Sequence, residues 1–358
     1  MSISQSVQMA ASLEEYVLKA LHSVTEGPGG LDIVSSGQVF DVVATGGAVR
    51  VLLDTDHIPD GTEEMLAEVI TPFVEALPGV DRVVVKPRPR SIAMRESLPG
   101  ITHVIGVHSG KGGVGKSTVA VNLAVALAQQ GISVGLLDAD VYGPSCPTLL
   151  GITGRVETTD DGEKIAPMNR HGVSLMSLGL LLPEGQALIW RGSLVDQGLP
   201  QLLTDVDWGR LDLLLVDLPP GTSDVHLAVA RHASLSGVVT VTSPGQVSID
   251  DVRRGMEMFA DLQIPCLGLV QNMAGVACQK CGEVGALFGV DGGGDLAVEI
   301  GVPVLASLPF VPELAIQSDL GEPLVISRLG SAASRVFHEL AGRLATGLCI
   351  GERKEVLS

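Results

Sequence analysis

The residues with the clearest chemistry form a glycine-rich stretch, GKGGVGKST, at residues 110–118. It follows the apolar run Ile-Gly-Val at 105–107 and precedes a helix-like stretch, VAVNL, at 119–123. The stretch fits the phosphate-binding pattern G-x-x-x-x-G-K-[ST], in which backbone N–H groups and a helix N-terminus surround phosphate oxygens. The lysine adds a charge at the terminal phosphates, and the next hydroxyl is a ligand for Mg²⁺. We therefore predict a nucleotide site formed by nine residues: Gly110, Lys111, Gly112, Gly113, Val114, Gly115, Lys116, Ser117 and Thr118.

Aspartates at the ends of two apolar runs are predicted to complete this site. Asp138 and Asp140 end the run LLDAD, and Asp217 follows four apolar residues in LLLVDLPPGT. Carboxylates at the carboxyl ends of parallel strands lie in the ligand crevice of an open α/β sheet. We predict that Asp217 is the Walker B aspartate and holds Mg²⁺ with Ser117. Asp140 is predicted to orient the attacking water or to contact Mg²⁺ through water, and Asp138 to be structural. The Pro-Pro-Gly that follows Asp217 is interpreted as a switch loop that senses the terminal phosphate.

A third candidate site is the cysteine pair Cys278 and Cys281, separated by two residues. Two thiolates at this spacing bind one soft metal ion or two irons of a cluster. A complete site usually needs four ligands, and the sequence has no second CxxC and no histidine near this one. A second copy of the same chain is the simplest completion. Four-cysteine zinc, an iron–sulfur cluster and a redox-active dithiol all fit, so the spacing alone leaves the metal open.

The elements that must position these groups alternate between strand and helix after residue 100. Strands are predicted at Val104–His108, Ser133–Asp138, Leu213–Asp217, Val238–Thr242, Leu267–Gln271 and Val304–Leu308. Helices are predicted at Lys116–Gln130, Asp250–Leu262 and Ser331–Leu344. Near-continuous apolar strands are typical of parallel sheets that are buried on both faces. The pattern therefore predicts an α/β fold, a P-loop NTPase parallel sheet with helices on both faces.

A shorter unit precedes this sheet. The stretch PRPRSIAMRESLPG at 87–100 combines prolines, charges and a closing Pro-Gly, and is interpreted as a linker. Residues 1–86 are predicted to form a small α/β domain of order αββαβ, and residues 101–358 the P-loop domain. The strands of the small domain are predicted at Gln38–Val43, Ala48–Leu53 and Val80–Val85, with a helix at Thr62–Leu77. It contains no cysteine, so we interpret it as an interaction or regulatory module.

Composition limits the partners and the compartment. The net charge of −18 argues against binding to nucleic acid or to an anionic membrane. The first residues lack a basic start and an apolar core, and no apolar run is long enough to span a bilayer. The five cysteines are an odd number, which favours a reducing cytosol and hence a cytoplasmic location. Cys266 and Cys349 are interpreted as buried or incidental thiols. Cys146, close to the crevice after Asp140, is interpreted as inert, with a reactive thiol as the alternative, and the eight histidines form no nucleophile or metal pattern.

Five sequence blocks, taken in order, resemble the Mrp-type iron–sulfur cluster carrier ATPases, a branch of the deviant P-loop family that includes MinD- and ParA-type proteins. The blocks are GVHSGKGGVGKSTVAVNLAVALAQQG, GLLDADVYGPSCPTLLG, IWRGSLV, LTDVDWGRLDLLLVDLPPGTSDVHLAVA and QNMAGVACQKCGEVGALFG. They cover about residues 100–325. Residues 12–86 resemble, more loosely, the small domain fused to many bacterial members.

This resemblance implies several further properties. It implies ATP binding with slow hydrolysis, and a homodimer in which Cys278 and Cys281 of each chain hold a bridging [4Fe–4S] cluster. It implies transfer of that cluster to recipient apoproteins. Lys111, directly after the first loop glycine, is implied to reach the nucleotide of the partner chain. The predicted catalytic residues are therefore Lys111, Lys116, Asp140 and Asp217. Asn272 is implied to contact adenine.

Two other functions share part of this pattern. A positioning ATPase of the MinD or ParA type would share the phosphate-binding loop, Lys111, Asp140 and Asp217. Its membrane-binding members end in a basic amphipathic helix, whereas the tail GERKEVLS has no apolar face. DNA-binding members need basic patches, which the charge of −18 disfavours. A dimeric ATPase with a structural zinc is the second alternative. Neither explains the CxxC together with the IWRG and LPPGT blocks as well as a cluster carrier does.

Overall fold

The computed structural model describes residues 13–25, 31–45, 47–54, 63–87, 98–141, 143–181, 198–199, 201–277, 284–286, 288 and 292–350. These residues form two compact units. The first lies within residues 1–90 and includes Gly294–Pro303, and the second lies within residues 91–293 and continues from Val304. The sequence pattern does not predict that Gly294–Pro303 groups with the first unit. The boundaries at 86/87 and 100/101 remain predictions.

Within residues 13–87, the first unit has the predicted αββαβ order. Its elements are α1 (13–21), β1 (Val39–Thr45), β2 (Ala48–Leu53), α2 (Glu63–Glu75) and β3 (Arg82–Pro87). β1 pairs antiparallel with β2, and β2 pairs parallel with β3. Both helices bury apolar side chains in the core of this unit, Val17 and Leu21 from α1 and Ile70 and Val74 from α2.

The second unit alternates strands and helices along most of its length. Its elements are β4 (Ile101–Ser109), α3 (Lys116–Gln129), β5 (Val134–Asp138), α4 (Cys146–Leu149), β6 (Met168–Arg170), β7 (Val173–Ser177), α5 (described over 198–199 and 201–204), β8 (Leu211–Asp217), α6 (Asp224–His232), β9 (Gly237–Thr242), α7 (Gln246–Asp261), β10 (Cys266–Gln271), β11 (Val276–Ala277), β12 (Val284–Gly285), α8 (Gly292–Ile300, mostly in the first unit), β13 (Val304–Ser307), α9 (Pro312–Asp319), α10 (Leu324–Ser327) and α11 (Ala332–Gly347). No described helix has the length and apolar character that a membrane span requires.

Eight strands form one sheet in the order β13-β10-β9-β4-β8-β5-β7-β6. All neighbours are parallel except β6 and β7. The six predicted strands are present, with ends shifted by up to three residues. β6 and β7 were not predicted, because the serines of VSLMS interrupt the apolar pattern of β7. One of them, Ser177, is fully buried and donates a hydrogen bond to Asp138.

Strand β4 shows how the sheet separates two layers of helices. Ile105 and Val107 belong to the core formed with α3 and α11, which includes Leu123 and Phe337. His108 points to the opposite face, since successive strand residues alternate, and its ring contacts Phe259 of α7. The predicted class, a P-loop NTPase parallel sheet with helices on both faces, is confirmed.

Candidate nucleotide site

The phosphate-binding loop connects the end of β4 to the first residue of α3. Gly113 and Gly115 have φ values of 83° and 85°, in the left-handed region that favours glycine. A Cβ on Gly110 would collide with the backbone of Asp251 and Val252 in α7. Gly115 is the N-cap of α3, and its carbonyl accepts the amide of Val119 at 2.9 Å. The loop glycines therefore allow a close turn that ends on a helix N-terminus, the geometry that binds anions.

Two predicted catalytic carboxylates, those of Asp140 and Asp217, lie near the ammonium group of Lys116. The Nζ of Lys116 lies 2.6 Å from Oδ1 of Asp217 and 3.9 Å from Oδ2 of Asp140. It also donates to Oγ of Ser117 at 3.3 Å. Lys116 is 6% exposed and Asp217 is fully buried. The oxygen atoms of the two predicted Mg²⁺ ligands, Ser117 and Asp217, thus both contact the positively charged ammonium group of Lys116.

Asp138 lies beside this ion pair and has a different environment. Its carboxyl group accepts the amides of Asp140 and Cys146 at 3.2 and 3.1 Å and the hydroxyl of Ser177 at 3.3 Å. Burial, and after it the nearby charge of Asp217, raises the pKa of Asp138 to about 7. These hydrogen bonds hold the turn after β5, which agrees with the structural role predicted for Asp138.

Cys146, at the start of α4, contacts the same carboxylate. Its Sγ lies 3.6 Å from Oδ2 of Asp217, within hydrogen-bonding distance for a thiol donor. Burial raises the pKa of Cys146 well above its usual value, and the carboxyl groups of Asp138 and Asp217 raise it further. A buried thiol with a raised pKa is a poor nucleophile, so the geometry agrees with the prediction that Cys146 is inert.

Asp138, Cys146 and Asp217 place potential metal-ligand atoms within 4.8 Å of one another. Their charges are already balanced, however. Lys116 neutralises Asp217, and the raised pKa values favour protonated Asp138 and Cys146. We therefore interpret the cluster as hydrogen-bonded support for Asp217.

Two hydrogen bonds to backbone carbonyls of the loop involve the predicted site residues Asn272 and Lys111. Asn272 follows β10, and its Nδ2 donates to the carbonyl of Val114 at 2.9 Å. The carbonyl of Lys111, which is half-buried, accepts the hydroxyl of Ser109 at 3.1 Å. Asn272 thus supports the loop from one side. Its predicted contact with adenine and the predicted reach of Lys111 to a partner's nucleotide remain predictions.

Cys278 and Cys281 lie outside the described residues, as does the IWRG block. The residues on either side of the cysteine segment are paired, since Val276 lies opposite Gly285 and Ala277 opposite Val284 in the β11–β12 ribbon. The amide of Phe310 donates to the carbonyl of Gly275 at 2.7 Å. The described residues that flank the cysteine segment, Ala277 and Val284, are therefore paired with each other.

Sequence analysis assigned no role to two histidines that the structure buries, His108 and His226. Nε2 of His108 lies 3.1 Å from the carbonyl oxygen of Gly221, in the loop after Asp217. Its ring packs edge-on against His226 of α6, with centroids 5.5 Å apart. Burial lowers the pKa of His108 to about 3, with His226 as the second cause, and burial lowers that of His226 to about 4. The two are far apart in sequence. The sequence signal that could have indicated a buried His108 was the alternation of side chains along β4, which places His108 on the opposite face from Val107.

With this geometry established, comparison with known proteins identifies the family. Residues 100–345 match the family described as NUBPL iron-transfer P-loop NTPase, and residues 14–86 match the iron–sulfur cluster assembly protein family. An iron–sulfur cluster carrier protein from Helicobacter pylori is 39% identical over 341 residues, which is 94% of this chain and 93% of that protein.

Solved structures agree with the fold. A nucleotide-binding protein from Archaeoglobus fulgidus, in complex with ADP, is 39% identical, with a TM-score of 0.56 over 65% of this chain and 92% of that one. The cell division ATPase MinD from Pyrococcus furiosus has a TM-score of 0.52 over 68% of this chain and 98% of that one, and its 23% identity shows a shared fold alone. The chain belongs to the NUBPL-type iron-transfer P-loop NTPase family, and the resemblance to cluster carrier ATPases seen in the sequence is confirmed.

Proposed function

We propose that this protein is an iron–sulfur cluster carrier that binds and slowly hydrolyses ATP and transfers its cluster to recipient apoproteins. The observation that carries this proposal is the buried Lys116–Asp217 pair at the end of the phosphate-binding loop, in a chain whose family members include cluster carriers. The 39% identical relative from Archaeoglobus fulgidus was solved in complex with ADP, which supports nucleotide binding by this chain.

The nucleotide phosphates bind at residues 110–118, where the loop amides and the N-terminus of α3 converge. Binding transfers Lys116 from Asp217 to the phosphates, because both partners compete for one ammonium. Ser117 and Asp217 would then hold Mg²⁺, which supplies positive charge to the phosphate oxygens. Asp140 orients the attacking water, and the 3.9 Å distance between its Oδ2 and Nζ of Lys116 supports this role. Asn272 contacts adenine, and Lys111 reaches the nucleotide of the second chain.

The cluster is the cargo, and Cys278 and Cys281 are its ligands. A [4Fe–4S] cluster needs four thiolates, so two chains contribute two each and the carrier is a homodimer. The paired strands β11 and β12 support this assignment, because they pair the residues that flank the cysteine segment. Cys146 cannot substitute as a ligand, since it is buried against Asp217. We propose a cytoplasmic location from the cysteine usage, and no nucleic-acid or membrane partner from the charge of −18.

A transfer assay tests this function. The full chain is loaded anaerobically with iron and sulfide and mixed with an apo-ferredoxin, with and without ATP and Mg²⁺. We expect the absorbance of the cluster to move to the ferredoxin when the proteins are separated. Retention of all iron on the loaded chain would contradict a carrier role. ATP-dependent binding to lipid vesicles or DNA, without iron, would favour a positioning ATPase instead, and a colourless protein with stoichiometric zinc would favour a structural metal.

A further inference from the structure

The last two residues of β4, His108 and Ser109, form hydrogen bonds with two loops, the phosphate-binding loop and the loop after Asp217. Oγ of Ser109 donates to the carbonyl of Lys111 in the phosphate-binding loop at 3.1 Å. The backbone carbonyl of Ser109 accepts the amide of Gly221 at 2.8 Å. His108 donates from Nε2 to the carbonyl of Gly221 at 3.1 Å, because a carbonyl only accepts. Both backbone groups of Gly221 are therefore bound by the strand that leads into the phosphate-binding loop.

The loop at 218–222 connects Asp217 to helix α6. Gly221 has a φ of 76°, a left-handed conformation that other residues rarely adopt. The loop ends at a capping box in which the amide of Ser223 donates to Nδ1 of His226 at 3.1 Å. A displacement of Gly221 would therefore be passed directly to the first turn of α6.

The ring of His108 is confined to one position. Its centroid lies 5.0 Å from that of Phe259 in an edge-on contact, and His226 packs on it at 5.5 Å. A Cβ on Gly255 of α7 would collide with the imidazole ring, so α7 closes the remaining side. Burial also lowers the pKa of His108 to about 3, which keeps the ring neutral with one N–H to donate. A confined neutral donor is suited to holding a backbone carbonyl in place.

We propose that His108 is a positioning residue that ties the 218–222 loop to the phosphate-binding loop, so that nucleotide binding is transmitted through Gly221 to α6. The inference rests on the proposed binding of nucleotide at residues 110–118. It adds to that proposal a defined route from the nucleotide to the opposite face of the sheet. His108 touches no reacting atom in this role.

Hydrogen exchange by mass spectrometry on the full chain tests the route, with Mg²⁺ and a non-hydrolysable ATP analogue as the probe. His108→Leu removes the donor and keeps a similar bulk, whereas His108→Gln retains an N–H near the position of Nε2. His232→Gln, at the exposed end of α6, is the matched control. We expect nucleotide to slow exchange at 110–118 and at 218–232 in the wild type, His108→Gln and His232→Gln. His108→Leu should keep the first effect and lose the second.

Steady-state ATP hydrolysis gives a second readout. We expect kcat of His108→Leu to fall about tenfold, the size expected when one buried hydrogen bond that orders a reacting group is lost. KM should stay within about twofold, because the phosphate-binding loop is unchanged. His108→Gln should restore most of kcat, which a purely steric role would not predict.

Three results would overturn the inference. The first is a normal response at 218–232 in His108→Leu. The second is loss of both responses in His108→Leu and His108→Gln alike, which would make the residue merely structural. The third is a wild type that binds nucleotide at 110–118 without any response at 218–232, which would leave the proposed function standing. A wild type that binds no nucleotide would instead refute the proposed function, and the inference with it.

Discussion

Two buried polar clusters lie on the sheet near the phosphate-binding loop, and they avoid uncompensated charge in opposite ways. In the charged cluster, Lys116 and Asp217 form an ion pair at 2.6 Å. In the neutral cluster, His108 and His226 are uncharged because burial lowers both pKa values. The first arrangement leaves a charge available for a ligand, whereas the second supplies hydrogen bonds without any charge. The comparison indicates that the charged cluster binds and the neutral cluster positions.

The largest expected effect is removal of the charge at Lys116. Lys116→Ala should abolish ATP binding, because the phosphates lose their main charge partner in a buried site. It should also lower the free energy of unfolding by about 3 kcal/mol, since Asp217 is left as an unpaired buried charge. Calorimetric titration and urea unfolding measure the two effects. Adding Asp217→Asn should recover part of the stability and none of the binding. No recovery in the double variant would show that the ion pair does not dominate this cluster.

Lys111→Ala is the matched control for this loop. It should leave ATP affinity nearly intact and reduce hydrolysis, because the predicted partner of Lys111 is the nucleotide of the other chain. Equal loss of binding in the Lys111 and Lys116 variants would refute that role.

Asp138, beside the Lys116–Asp217 pair, should make the unfolding free energy of the protein fall as pH rises. Its folded-state pKa of about 7 exceeds the ordinary 3.8, so the folded protein holds a proton that the unfolded chain releases. Its contribution to stability is complete below pH 3.8 and is lost as pH rises through about 7. We expect the unfolding free energy of the wild type to fall by about 2 kcal/mol more than that of Asp138→Asn between about pH 5 and pH 7. Urea titrations at several pH values measure this difference, and parallel curves would exclude a protonated Asp138.

The neutral cluster should show the opposite sign at a similar size. The folded-state pKa of His108, about 3, lies below the ordinary 6.5. Its contribution is therefore complete above pH 6.5 and is lost as pH falls toward 3. His108→Gln should lose about 2 kcal/mol less stability than the wild type between about pH 7 and pH 5. Urea unfolding at several pH values measures this difference. An identical loss in both proteins would mean that the His108 ring is cationic in the folded state.

Cys146→Ser should have the smallest effect. A thiol is a weak donor, and a hydroxyl retains the contact with Asp217, so we expect a change in unfolding free energy below about 1 kcal/mol. ATP affinity and iron content should match the wild type. Rapid reaction of Cys146 with a thiol reagent in the native protein, detected by peptide mapping, would contradict its buried position.

The charged cluster was largely predictable from the sequence and the neutral cluster was not. GKGGVGKST and LLLVD carry a local signature, because loop glycines and strand-end carboxylates are needed at fixed spacing. The six apolar strands, including the strand before the P-loop, and the helix after the loop also followed from sequence patterns. β7 escaped prediction because its buried Ser177 is matched by a partner, Asp138, on another strand. His108 and His226 escaped for the same reason, since only the folded sheet brings the two rings together.

Iron content after anaerobic reconstitution tests the central claim most directly. The full chain is incubated with iron and sulfide, desalted and analysed for iron, visible absorbance and mass in solution. We predict a brown dimer with one [4Fe–4S] cluster per two chains, because each chain supplies only Cys278 and Cys281 at metal-binding spacing. Cys278→Ser and Cys281→Ser should each lose the cluster and keep ATP binding, whereas Cys266→Ser and Cys349→Ser should keep both. A full cluster on the Cys278→Ser, Cys281→Ser double variant would contradict the carrier site proposed for this chain.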